Sequence, residues 1–214
     1  MTVMPRVAAP ELILAGVLAT GLARAGEALA AMSGHEVTIA SPDVVSCTPA
    51  DVIESAGGPD CVVVGVYVGI TGSLTGHALL LLPPHGARHL ATILLEGILD
   101  PAPSLSAPDG SLELDPLEVS ALQEVGNVTI SACLNELGRF FPEPVHPTIP
   151  QAIVELAGAI LDAVLLDLVA ESDQLLAART TFAINGETVD GTILILPDRR
   201  SLAALAGAVA SVGS

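Results

Sequence analysis

The hydrophobic pattern divides the chain into alternating helical and strand-like runs. Residues 9–33 are rich in Ala and Leu and predict a helix stopped by Gly34. "HEVTIASPDVVSC" (35–47) carries β-branched residues and a Pro, and reads as a strand with its exit. Thr48-Pro49-Ala50-Asp51 is a helix start: a hydroxyl that can cap, Pro in the first turn, and a carboxylate at the positive end of the dipole. Gly57-Gly58-Pro59-Asp60 closes that short helix. Residues 62–82 form two β-rich runs around a Gly-containing turn, a hairpin, and "PPHGARHLATILLEGIL" (83–99) predicts a following helix. Residues 101–116, "PAPSLSAPDGSLELDP", have linker composition.

Beyond the linker the order repeats. Residues 117–138 predict a helix, "EPVHPTIP" an extended exit, and 151–170 a further helix. "QLLAARTTFAINGETVDGTILIL" reads as a second hairpin turning at Asn185-Gly186, and "PDRRSLAALAGAVA" as a closing helix. "TGHALLLLPP" (75–84) matches "DGTILILPD" (190–198): a Gly-started strand ending in Leu-Pro, then a helix. Self-similarity at this spacing indicates a duplicated α/β unit, and each copy alone buries too little to be stable. The expected fold is α/β of the α+β type: one pseudo-two-fold domain over 1–214, with a largely antiparallel sheet and long helices on one face. Residues 1–100 form the first repeat, 101–116 the linker and 117–214 the second repeat.

Composition narrows the possibilities. The 214 residues are 51% apolar but only 2% aromatic, so the core must be aliphatic. Seven Arg, no Lys and a net charge of −17 oppose nucleic-acid binding. Cys47, Cys61 and Cys133 are widely spaced, in no metal or disulfide pattern, and are expected as buried structural thiols in a reducing compartment. The N-terminal thirty residues have a signal-like outline, with Arg6, an apolar run from Leu12 to Ala23 and a possible mature start near Gly26. Glu11 beside the apolar run argues against it. Cys61 to Ala87 holds no Asp, Glu, Lys or Arg, yet its glycines suit a hairpin better than a membrane helix. The expectation is a soluble, cytoplasmic protein.

Candidate chemistry centres on Ser120, Glu124 and Asn127. Their offsets, i, i+4 and i+7, align them on one helix face. Leu122, Val125, Thr129, Ala132, Cys133 and Leu137 form the inner stripe, and the outer row continues through Ser131 and Asn135. Periodicity alone favours a plain solvated face. His85 and His89, four apart, lack an evident third metal ligand. "GITGSLTG" (69–76) lacks the ending of a phosphate-cradling loop and is better explained as a turn.

"SALQEVGNVTISACLNEL", with Pro150 downstream, resembles the signature of the CheC/CheX/FliY family of chemotaxis phosphatases. That signature is Asp or Ser, three residues, Glu, two residues, Asn, twenty-two residues and Pro; Ser120, Glu124, Asn127 and Pro150 meet every spacing. Gly126 before Asn127, "VELAGAILDAVLLDL" and the duplicated layout resemble CheC in particular. CheX members are shorter, and FliY members carry a further motor domain. The resemblance implies a hydrolase acting on the aspartyl phosphate of a CheY-type response regulator. Asn127 would orient water, Glu124 would dock the regulator, Ser120 would make a peripheral contact, and Pro150 would fix the backbone. It implies no cofactor of the chain's own, Mg²⁺ on the partner, and CheD-type deamidase as a possible second partner. The alternative is a binding module that captures regulator or deamidase without catalysis. In an ungapped alignment of the halves, Pro10, Leu14 and Val17 stand for Ser120, Glu124 and Asn127. The first repeat is therefore expected to carry a degenerate site.

Overall fold

A computed structural model describes residues 9–95, 114–167 and 175–212. In chain order its elements are α1 (Ala9–Ser33), β1 (Val37–Cys47), α2 (Pro49–Ser55), β2 (Val62–Gly72), β3 (Gly76–Leu82) and α3 (Pro84–Leu94). The later half contributes α4 (Pro116–Gly138), β4 (Val145–Pro147), β5 (Gln151–Leu156), α5 (Ala157–Asp167), β6 (Leu175–Ile184), β7 (Glu187–Pro197) and α6 (Arg199–Val212). The signal-like residues 1–8 and linker residues 101–113 lie outside the described residues.

One seven-stranded sheet runs β1-β6-β7-β3-β2-β4, with β5 also paired to β2, and every pairing is antiparallel. The order is palindromic. The matched strands β3 and β7 lie side by side at the centre, Leu79 opposite Leu194. The hairpin β2–β3 answers β6–β7, and β5 on one flank answers β1 on the other. Each flanking strand pairs with the opposite half: β1 with β6, and β5 with β2. This is the duplicated α/β architecture expected from the repeat, with the outer strands exchanged.

Strand alternation sends side chains to two cores. Val64, Val66, Val68, Ala78, Leu80, Ile193 and Ile195 face α1, α3, α4 and α6, in a cluster including Leu22, Leu90, Leu134 and Leu205. Val63, Leu79, Leu81, Leu194 and Leu196 face α2 and α5, packing on Val52, Ile160 and Leu161. The two long helices thus share one face, while two shorter ones cover part of the other. The apolar Cys61–Ala87 stretch is a hairpin plus a helix start. One helical stretch among the described residues, Ile13–Ser33, is long and apolar enough to cross a membrane; here its Leu18, Leu22, Ala25 and Leu29 sit in the main core.

Three boundaries differ from the sequence reading. Residues 151–170 are not one helix: Gln151–Leu156 is a strand and the helix begins at Ala157. The open edge of β2, from Val62 to Tyr67, offers a full antiparallel ladder to this segment. Ile153 and Val154 suit a strand, and Pro150 starts it extended. The new helix then finds acceptors beyond itself, as Ala157 N–H donates to Cys61 O (2.8 Å) and Gly158 N–H to Pro59 O (3.1 Å). The strand at 35–47 runs through Pro42, because a register shift between Ala40 and Asp43 takes up the missing donor. Finally, the stretch read as linker ends early, since Asp115 already caps α4.

Candidate functional site

Helix α4 is set by its first turn. The Asp115 carboxylate accepts from the N–H groups of Leu117 (2.7 Å) and Glu118 (2.9 Å), and Glu118 accepts in return from Asp115 N–H (2.9 Å). Pro116 occupies the first helical position, where no donor is needed. From there Leu122, Val125, Gly126, Thr129, Ile130, Cys133, Leu134 and Leu137 enter the core. The outer row is as the spacing predicts: Ser120, Glu124 and Asn135 are exposed, Asn127 and Ser131 half-buried. Ala132, placed in the inner stripe by sequence, is only half-buried. Ser120, Glu124 and Asn127 span an arc of about 60° at 100° per residue.

Asn127 is neither sealed in the core nor fully free. Ser131 Oγ donates to its Oδ1 at 3.4 Å, which leaves the second lone pair of Oδ1 and both Nδ2 hydrogens available. Ser120 Oγ donates back to Pro116 O (2.9 Å). Glu124 has no ion-pair partner among the described residues. Nearby Glu118 faces Arg88 at 3.7 Å.

Pro150 comes to this row through a residue the sequence reading did not single out. Gln123 Nε2 donates to Pro150 O (3.4 Å), tying the segment before β5 to the middle of α4. The same segment is stitched to β2, where Thr148 N–H donates to Gly69 O (2.8 Å) and Thr148 Oγ1 accepts from Gly69 N–H (2.9 Å). Only the i, i+4 spacing of Gln123 to Asn127 hinted at a shared side. Gly126 has a similarly hidden role. A Cβ there would stand 2.4 Å from Val66 Cγ1, so the row's helix sits directly on β2 at the residue before Asn127.

The matching row of α1 is different in kind. Leu14 and Val17 are half-buried and pack against the main core, so they do not mirror Glu124 and Asn127 at the surface. The exposed positions along α1 include Gly16, Ala19, Thr20, Ala23, Arg24, Glu27 and Ala28, with Glu27 the one carboxylate and no amide among them. Pro10 has no described side-chain environment. At the α1–α4 crossing, a Cβ on Gly21 would lie 2.8 Å from Cys133 Cα. Beside it, Glu136 is buried and paired with Arg24 and with Arg139 (3.0 Å).

The other candidates disperse. Among the described residues no three His, Cys, Asp or Glu side chains gather as a metal site. His89 pairs with Glu187 while His85 is exposed. His77 Nδ1 meets Tyr67 OH at 2.7 Å, and His35 meets Asn185 at 2.9 Å. The three cysteines are free. Cys133 is buried, its thiol pushed up to about 12 by burial and then by Glu136; Cys47 and Cys61 are only half-buried, short of the full burial expected.

The fold is similar to that of FliY and FliM. It matches Thermotoga maritima FliY with a TM-score of 0.72 at 14% identity, over 97% of this chain and 99% of that one. It matches FliM of H. pylori, in a FliM–SpeE complex, with a TM-score of 0.67 at 14% identity, over 96% and 97% of the two chains. In sequence it is similar to the CheY-P phosphatase CheC of Bacillus subtilis (strain 168), 22% identical over 148 residues, 69% of this chain and 68% of that protein. No family model matches the chain. The curated relative and the shared fold bear out the resemblance to the CheC/CheX/FliY family.

Proposed function

We propose that the chain is a CheC-like phosphatase that removes phosphate from the aspartyl phosphate of a CheY-type response regulator. The observation that supports this most is the outward pair Glu124 and Asn127, one turn apart on α4, with Pro150 held beside them by Gln123. The similarity to a CheY-P phosphatase supports this choice of substrate class.

An acyl phosphate is already activated, so the enzyme needs no nucleophile of its own; it needs water in line with phosphorus. Asn127 supplies an amide that accepts from that water through Oδ1 and donates through Nδ2. Water oxygen bonds to phosphorus as the bond to the aspartyl oxygen breaks. The carboxylate leaves with the electron pair, and the water protons pass to phosphate and solvent. Glu124 docks on a cationic group at the regulator's rim, Ser120 makes an outer contact, and Pro150 limits backbone movement beside the amide. The Mg²⁺ of this reaction belongs to the regulator. The chain acts in the cytoplasm as one pseudo-symmetric domain, with the working site in residues 117–214 and a degenerate one in 1–100.

The test is phosphate release from phosphorylated regulator. Asn127→Ala is expected to lower kcat by about a hundredfold or more, in the range for losing one positioned catalytic group, with binding retained. Glu124→Ala is expected to weaken binding. Equal rates for wild type and Asn127→Ala reject the reading. A second reading, a binding module for regulator or a CheD-type deamidase, is favoured by α1, where Leu14 and Val17 stand at the places of Glu124 and Asn127. Tight regulator binding without faster phosphate loss selects it.

A further inference from the structure

Six large apolar side chains are exposed among the described residues: Met32, Val62, Leu117, Ile149, Val154 and Leu202. Four of them border the Ser120–Glu124–Asn127 row. Leu117 (47% exposed) precedes Ser120 by three residues on the same face of α4. Ile149, at 85% the most exposed of the six, immediately precedes Pro150, whose carbonyl Gln123 holds.

Val62 and Val154 are placed by register. Val64, Val66 and Val68 face α4, so Val62 shares that face by the two-residue period. Val154 stands opposite Val64 and shares it too. Gly126 lies over Val66, and Gly138 lies against Val145, the partner of Gly72. Helix α4 therefore runs in the same direction as β2. Leu117, nine residues before Gly126, is set back by about 13 Å; Val62, four residues before Val66, is set back by about 13 Å as well. These two end at one level, where α4 stops covering the sheet.

We infer that Leu117, Val62, Val154 and Ile149 form an apolar rim that docks the CheY-type receiver and sets its affinity. The identity of that partner rests on the phosphatase reading above. Any domain that brings an acyl phosphate to Asn127 must cover Ile149 on one side and approach Leu117 and Val154 on the other. Charge argues the same way. This chain carries −17, and a receiver's phosphorylation pocket is itself acidic, so beyond the local Glu124 contact charge adds little attraction and buried apolar area must supply the rest of the affinity. With aromatics at only 2%, aliphatic side chains are what this surface has to offer.

The experiment titrates the same organism's CheY-type receiver, loaded with Mg²⁺ and beryllofluoride, into the full chain. Ile149→Ser is expected to weaken binding about tenfold, and the pair Ile149→Ser with Val154→Thr further. Met32→Ser, on α1 along the opposite sheet edge, is the control and leaves affinity unchanged. In turnover the rim variants raise KM, whereas Asn127→Ala lowers kcat. Thermal melts matching wild type show that the surface variants fold. Rim variants that bind the receiver as tightly as wild type overturn the inference, as does a change confined to self-association of the chain. A wild type that binds, loses affinity with the rim variants, and yet does not speed phosphate loss upholds the rim and overturns the phosphatase reading instead.

Discussion

Gly126 holds Asn127 at its height above the sheet. Val66 beneath it is fully buried and β-branched, so it cannot swing aside for a Cβ that would approach within 2.4 Å. Gly126→Ala must therefore lift α4 or shift β2. Overpacking of this kind costs about 1–3 kcal/mol, against a helix-propensity gain of about 1 kcal/mol for Ala over Gly. We expect a lower denaturation midpoint and, because Asn127 moves relative to Pro150, slower phosphate release. A melt and a turnover rate equal to wild type would show that the contact is slack. The polar row was legible because 3.6-residue spacing needs no partner to interpret. Gly126 and Gln123 were not, because what each one does depends on a neighbour far along the chain: Val66 for the first, Pro150 for the second.

Elements were legible where the signal was local. The capped start of α2 matched in detail, with Thr48 and Asp51 exchanging hydrogen bonds in a capping box. So did the Asn185-Gly186 turn, both residues at positive φ as a tight hairpin requires. Segment 151–156 failed because an apolar run beside a helix has no local mark that an unpaired strand edge awaits it. Helix α6 has a start that can be tested. Asp198, just before it, accepts from Ser201 N–H (2.8 Å) and from the Thr75 hydroxyl, while Asp198 N–H donates to Thr75 O (2.8 Å). Burial pushes the Asp198 carboxyl up, but hydrogen bonds from Thr75, Ser201 and Arg200 outweigh it and hold the group below its ordinary value. A depressed carboxylate stabilises the fold above the unfolded pKa of about 3.9, and that contribution fades as pH falls through the folded value. Asp198→Ala is expected to cost about 1–2 kcal/mol at neutral pH. Denaturant melts should show the gap between variant and wild type narrowing below about pH 4. A gap that widens in acid contradicts the assignment.

At the scale of the molecule, the duplication was legible in the matched strings around β3 and β7, and the strand exchange was not. Alternation reveals which face of a strand is buried, never which strand lies beside it. The consequence is mutual dependence. Without the second half, β2–β3 loses β5 and β7, and β1 loses β6, its one partner among the described residues. Without the first half, β6–β7 loses β1 and β3, and β5 loses β2. What remains of either is a two-stranded hairpin with detached flanks, which is marginal in water. The long helices add to this, since α1 and α4 pack on each other as well as on the sheet, crossing at Gly21 and Cys133 with the Arg24–Glu136 pair beside them. Residues 1–100 and 114–214 produced separately should each lack a cooperative melt. Mixed, they should recover one melt and the phosphate release of the uncut chain, because every strand and helix contact is restored across the cut. The second half would carry Ser120, Glu124, Asn127 and Pro150 in either case, but in isolation it lacks β2, to which Thr148 is bonded and on which Gly126 rests. A cooperative melt and full turnover from 114–214 alone would show that the exchanged strands are dispensable and that the site stands on one repeat.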